Sequence, residues 1–412
     1  MAQLGDVTGE IRVVEPLQFD ILNANGVLLL ARGQIVASAR QLEQLVERGS
    51  TVEDADVERV RAVKAANPDR PLTLFDLWAQ APTRLEQLLA GLAEPGFGER
   101  LQAFALDFVA LARRDVDIAI YLTIRQDPAR LQRYGLAHAL HTALVAELAA
   151  QRLGWSDDDR LRFVKAALTM NMAIVDLQGR LAASDNRLTE ALRAELRAHP
   201  EAAAASLRGA GIDDTAWLDA VAQHHERRGG TGYPAGLDAP TPLAVALRLA
   251  DVFMAKISPR AARPALPIQE AARQMFLEAD GSPVAAAVIK EYGIYPPGDF
   301  VQLASGERAV VVRRGADART PQVAAITNAA GAAIVDTIAR DTREKAHASS
   351  ARRPNASWLS ACRRSGSTAW PDPARPRRRP QQPPPRHHRD SAWRRASGRR
   401  RACRRAGCRW GC

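Results

Sequence analysis

The spacing of apolar and polar positions changes period several times along this chain, and the changes mark its parts. Over residues 9–37, "GEIRVVEPLQFDILNANGVLLLARGQIV" alternates apolar and polar around an Asn25-Gly26 turn signal, which predicts a small antiparallel β unit. A short helix is expected near 38–48, and the Pro-containing "ANPDRPLTLFD" reads as a linker. From about 82 to 290 apolar residues recur every three or four positions. "TRLEQLLAGLA", "ERLQAFALDFVALARRDVDIAIYLTIRQ", "RYGLAHALHTALVAELAAQRLG" and "DDDRLRFVKAALTMNMAIVDLQ" are the clearest cases, and they predict helices. "GIYPPGDF" (293–300) closes this stretch, and "FVQLASGERAVVVRR" with "PQVAAITN" predicts strands that turn at Ser305-Gly306. The expected fold is mainly α. A helical domain over 66–292 is flanked by a small β-rich N-terminal domain over 1–65 and a β appendage over 293–345. The aperiodic Arg/Pro-rich segment 346–412 has too little apolar surface to offset its ordering entropy and is expected to be a disordered tail.

Composition alters this picture mainly in the tail. The 412 residues have a formal net charge of +11, but residues 351–412 hold 18 Arg against Asp372 and Asp390. The tail therefore carries about +16 and the rest of the chain about −5, so the basic balance says nothing about the folded part. Cys362, Cys403, Cys408 and Cys412 all lie in the tail at spacings that match no standard zinc set. Its arginines, with Trp358, Trp370, Trp393 and Trp410, allow nucleic-acid binding through the tail. An out-of-frame extension of a GC-rich coding sequence is the competing origin. The chain has no apolar run of about 18 residues and no basic-then-apolar leader, so no membrane partner and a cytoplasmic location are expected.

Candidate chemistry concentrates in the helical stretch. His138, His141, His199, His224 and His225 all fall there. Neutral imidazoles with carboxylates bind divalent ions and leave a position for water, which is what a metal hydrolase needs. His224 and His225 follow "TAWLDAVAQ" and precede a glycine-rich loop. Adjacent helical residues point about 100° apart, so both rings reach one pocket only along their shared edge or where the helix unwinds. Glu226 is either part of this site or a solvated helix-end charge.

"HHERRGGTGYPAGL" resembles the signature of the HD-GYP family, a branch of the HD metal-phosphohydrolases that includes cyclic-di-GMP phosphodiesterases. The resemblance runs from about His138 to Arg263, through "HALHTALVAELAAQRLGW", "RLTEALRAELRAHP" and "LRLADVFMAKISPRAAR". It implies a helical HD-type domain with metal ligands at His138, His199, His224, His225 and Asp251. His138 is favoured as first ligand because Leu153-Gly154 follows at the family's spacing, with His141, one turn on, as its competitor. The signature loop would comprise Glu226, Gly230, Gly232, Tyr233 and Pro234. The departure lies at "AALTMNMAI", where related chains resemble "AALLHDIGK": Met170 and Asn171 stand at the His-Asp pair and Ile174 at the Lys. Tyr134 replaces a ligand carboxylate found in some members, and Gly229 replaces an Asp. Asp176 lies five residues after Asn171, about 140° away around a helix, and reads as a solvated charge.

Asn lacks the negative charge of a bridging Asp, and a Met thioether is too soft for hard divalent ions. The resemblance therefore implies a degenerate HD-GYP module in bacterial cyclic-di-GMP signalling, with no catalytic residues surviving at Met170, Asn171 or Ile174. Such a module would bind a cyclic dinucleotide or a protein partner, with Fe, Mn or Zn at reduced stoichiometry or no metal at all. The alternative is an active metal-dependent phosphodiesterase.

Overall fold

The computed structural model describes residues 1–350 apart from 12–16, 33, 35, 37–38, 66–71, 127, 187 and 280. The expectations for the tail beyond residue 350 fall outside the described residues. In the N-terminal part, β1 (Ala2–Gln3), β2 (Ile21–Leu22), β3 (Leu28–Leu30) and β4 (Thr51–Val52) form a sheet of order β1-β4-β2-β3. Antiparallel β2 and β3 meet across the Asn25-Gly26 turn, where the Asn23 side chain accepts from the backbone N–H of Asn25 and Val27. This part is more helical than alternation implied. A 3-10 turn over Leu4–Glu10, α1 (Ala39–Glu47) and α2 (Asp54–Ala65) accompany the short strands. Leu4, Val7, Phe19, Ile21, Val36, Val52 and Val57 form its own core.

The helices of the main part begin before the periodicity read from about residue 82, at α3 (Leu74–Ala90), inside the segment read as a linker. Thr73 and Asp76 make a capping box there, and Pro82 sits within the helix rather than before it. The long pattern that follows is split at Asp115 into α4 (Phe97–Arg114) and α5 (Val116–Ile124). The Asp115 carboxylate accepts from the Asp117 and Ile118 N–H groups and so starts the second helix. Next come α6 (Tyr134–Arg152), α7 (Asp157–Thr169), α8 (Val175–Ala182), α9 (Glu190–Gly209), α10 (Thr215–Gln223), α11 (Pro242–Ile257), α12 (Ile268–Glu278) and α13 (Pro283–Tyr292). Of these α6 is central: it is buried on nearly every side, and Ala139, Ala143, Ala146, Ala149 and Ala150 let neighbouring helices approach closely. One apolar cluster runs from Trp78 to Tyr292. Truncating a fully buried member such as Leu144 to Ala should cost about 2–5 kcal/mol.

The C-terminal β part consists of β5 (Phe300–Leu303), β6 (Arg308–Arg313), β7 (Gln322–Thr327), β8 (Ala333–Asp341) and β9 (Ser349–Ser350), ordered β8-β7-β6-β5-β9. Ser349 and Ser350 pair with β5, so the sheet continues past residue 345, where the appendage was expected to end and the tail to begin. One sheet face packs through Val310, Val312 and Phe300 on Tyr121 of α5. The Arg313–Asp115 and Arg314–Asp117 ion pairs fix that docking. Among the described residues, no helix is long and apolar enough to cross a membrane.

Candidate metal centre

Five of the expected site residues converge. His138 comes from the second turn of α6, His199 from α9, His224 and His225 from the end of α10, and Asp251 from α11. His224 caps α10 and His225 lies beyond it, so the helix unwinds at the pair and both rings enter one pocket. His199, His224 and His225 each present a ring nitrogen within 4.8 Å of the others, a grouping that can hold a metal ion.

Local backbone chemistry sets the orientation of two of these rings. Pro200 has no N–H to give to the Leu196 carbonyl four residues back, and His199 Nδ1 donates to that oxygen instead, at 2.6 Å. Val221 lies in the last turn of α10, where carbonyls lose their helical partners, and His224 Nδ1 donates to it at 2.6 Å. A carbonyl can only accept, so both rings carry their proton on Nδ1 and aim a bare Nε2 into the pocket. Those two Nε2 atoms are 3.1 Å apart. Burial, with His225 and His199 as respective neighbours, pushes His199 and His224 down to about 4, so at neutral pH no proton lies between the lone pairs. A Lewis acid relieves that opposition, and 3.1 Å suits two imidazoles sharing an ion about 2.0–2.1 Å from each. His225 is pushed down to about 3 by burial and by His224, and it stacks on Tyr233 at 4.6 Å. These neutral imidazoles fit one divalent ion.

The adjoining α6–α7 region differs. His138 Nε2 lies 2.7 Å from Asp251 Oδ1. Burial opposes ionisation of Asp251, but the hydrogen bond from His138 and the surrounding histidines hold its carboxyl below the usual range. As a carboxylate it accepts, so His138 carries its proton on Nε2, the opposite tautomer from His199 and His224. Among the described residues, His138 Nδ1 and His141 Nδ1 are buried without a hydrogen-bond partner. Burial, then His138, pushes His141 down to about 3. Among the described residues, His138, His141 and Asp251 all stay outside the three-histidine grouping. Met170 is fully buried in the main core at the end of α7, the Asn171 Oδ1 is buried and unpartnered, and Ile174 is buried. Asp176 is exposed, as its position around the helix implied.

Glu226 corrects the solvated reading. It is buried, and its carboxylate accepts the backbone N–H groups of Ala235 (2.7 Å), Gly236 (3.1 Å) and Leu237 (3.0 Å), closing the loop on itself. A Cβ on Gly232 would lie 2.4 Å from the backbone of Glu226 and Arg227, so only glycine fits there. Gly229 and Gly230 have φ of 80° and 64°, and Tyr233–Pro234 is a cis peptide. Arg197 of α9 lies 5.4 Å from the Tyr233 ring centre. The Arg260 contact with Tyr134, which is buried and stacks on His138 at 5.4 Å, was not foreseen. Its only trace in the sequence is a pair of arginines just past the α11 pattern.

Residues 129–282 match the model of the HD domain family. A cyclic di-GMP phosphodiesterase of Pseudomonas aeruginosa is 35% identical over 144 residues, 33% of this chain and 34% of that protein. A 3'3'-cGAMP-specific phosphodiesterase of Vibrio cholerae is 29% identical over 174 residues, 41% of this chain and 38% of its own. The chain thus spans little more than a third of the length of these curated relatives. A solved HDG"Y"P protein of Bdellovibrio bacteriovorus aligns at 16% identity over 68% of this chain and 96% of its own, with a TM-score of 0.45. Residues 129–282 thus carry an HD domain.

Proposed function

We propose that this HD domain is a cyclic-dinucleotide-binding module that has lost hydrolysis, acting in second-messenger signalling through its ligand or a protein partner. The observation that carries this reading is the state of the α7 end: Met170 fills the core and Asn171 leaves a neutral, unpartnered carbonyl oxygen where the resembled family has its His-Asp pair. Without a carboxylate there, nothing in that wall would hold two ions together. His199, His224 and His225 would still hold one ion, with His138 and Asp251 already committed to each other. A bound ion supplies positive charge for phosphate oxygens and a more acidic water. Loss of about 4 kcal/mol of transition-state stabilisation slows a reaction roughly a thousandfold. The missing carboxylate and the missing lysine at Ile174 together exceed that. The names of the two relatives point to the cyclic-dinucleotide class.

The convergence of the three imidazoles favours a second reading, metal-dependent hydrolysis with a single ion. The test is to incubate the full chain with cyclic di-GMP, and separately with 3'3'-cGAMP, in the presence of Mn²⁺ or Fe²⁺, and to follow linear dinucleotide by chromatography. Binding without product is expected. Turnover abolished by His224→Ala would overturn the non-catalytic reading.

A further inference from the structure

Two of the three imidazoles in the grouping are aimed by a backbone carbonyl, and the third is not. His199 and His224 each donate Nδ1–H to the carbonyl three residues back. His225 lies beyond the end of α10, and among the described residues no hydrogen bond reaches its ring. The last torsion of a histidine side chain has broad wells, so a ring with nothing behind it does not hold one nitrogen on a fixed line. Removing the partner that orients a ligating histidine typically costs about 10–100-fold in metal affinity. A third ligand therefore needs some other device to hold it.

What faces His225 is aromatic. Tyr233 stacks on it with ring centres 4.6 Å apart and planes 21° from parallel. His199 meets it edge-on at 5.1 Å and 81°, and His224 lies tilted at 4.2 Å and 41°. Planes on several sides leave the ring little room to turn, and of these neighbours Tyr233 is the one outside the metal grouping. A stack orients its neighbour only if it is itself fixed, and Tyr233 is. Its N–H donates to the His225 carbonyl at 3.3 Å, and the Arg197 guanidinium lies over its ring. Glu226, next to His225, closes the loop on the N–H groups of Ala235, Gly236 and Leu237, and Gly232 packs directly on the backbone of Glu226 and Arg227. The loop thus starts at a ligand and returns a ring to it. An imidazole that gives electron density to an ion becomes electron-poor, and the electron-rich face of a phenol ring favours it in that state.

We propose that Tyr233 is a positioning residue: by stacking, it holds His225 at the angle of a third metal ligand, in place of the hydrogen bond that orients His199 and His224. The ring does this and the hydroxyl does not, and the closed glycine loop is what delivers the ring. The proposal rests on the reading above that the three imidazoles hold one ion, and it is independent of whether the pocket cleaves its ligand.

The test counts ligands. The full chain, with its four tail cysteines alkylated, is stripped of metal and loaded with less than one equivalent of Cu²⁺, the divalent ion of the first transition row that imidazole sites bind most tightly. Nitrogen couplings in the electron paramagnetic resonance spectrum then count the imidazoles, and zinc affinity is measured in parallel by competition. Wild type and Tyr233→Phe, which keeps the ring and loses the hydroxyl, should both show three imidazoles and the same zinc affinity. Tyr233→Leu should show two, with zinc bound about tenfold or more weaker. His225→Ala supplies the two-imidazole reference, and adding Tyr233→Leu to it should weaken zinc no further. That last comparison separates positioning from a general loosening of the pocket, which would cost affinity even without His225. Three imidazoles and unchanged zinc affinity in Tyr233→Leu would overturn the proposal and leave the single-ion reading standing. A loss in Tyr233→Phe as large as in Tyr233→Leu would assign the effect to the hydroxyl and overturn it as well. Fewer than three imidazoles in the wild type would end both readings.

Discussion

The histidine cluster of α9 and α10 and the adjoining α6–α7 region use similar residues and satisfy them in opposite ways. In the cluster, His199 and His224 spend Nδ1–H on carbonyls that Pro200 and a helix end have left free, and both turn a bare Nε2 inward. In the α6–α7 region, His138 spends Nε2–H on Asp251, while the Nδ1 atoms of His138 and His141 and the Asn171 Oδ1 find no partner among the described residues. Imidazoles alone therefore do not make a ligand set. The backbone carbonyl or carboxylate behind each ring decides which nitrogen faces the pocket.

Acid should affect this comparison most. Burial lowers His141 and His225 to about 3 and His199 and His224 to about 4, below an unfolded value of about 6.5. The unfolded chain then binds more protons than the folded one between those limits. Stability is full above about pH 6.5 and falls as pH drops toward 4. Each ring contributes at most about 3–5 kcal/mol, and because a proton on one disfavours the next, the total loss should be several kcal/mol. Melting of the metal-free protein from pH 7.5 to 4.5 would show it; a flat profile would mean the rings are solvated.

Next in size is the difference between the two groups of histidines in holding an ion. His224→Ala should weaken zinc or manganese binding by more than about 100-fold, and His138→Ala by less than about tenfold. Equal losses in a competition assay against a chelating dye would erase the distinction between the two groups.

A smaller effect isolates the carbonyl argument. Pro200→Ala restores an N–H that competes with His199 Nδ1 for the Leu196 carbonyl. Removing proline from a helix interior should leave the melting temperature unchanged or higher. Metal affinity should nevertheless fall several-fold, and a variant that binds metal like wild type would show that the proline does not orient the ring. Smallest of all, Asp176→Asn should change both stability and metal binding negligibly, because that carboxylate is exposed. A marked loss of metal would return Asp176 to the site.

Much of this molecule is legible in its sequence. The 3.6-residue period gave the helices because α6 and its neighbours bury apolar positions against one another, and Gly26 and Gly306 marked turns that only local backbone geometry requires. The histidine pair before a glycine loop located the pocket. Periodicity missed the break at Asp115, since apolar spacing continues through it and the cap is a single side chain. It also left Glu226 open between the site and solvent, because a charged residue next to arginines looks the same whether water or three backbone N–H groups surround it.

What the sequence determined by itself was the set of groups: five histidines, Asp251, a glycine loop, and Met170 and Asn171 at the end of α7. Only the tertiary structure decided which of those groups meet, which nitrogen each ring presents, and that Arg260 leans on a tyrosine 126 residues away. The reason is range. Helical period and turn chemistry act over a few residues, whereas tautomer, desolvation and ion pairing depend on atoms brought together by packing from α6, α9, α10 and α11.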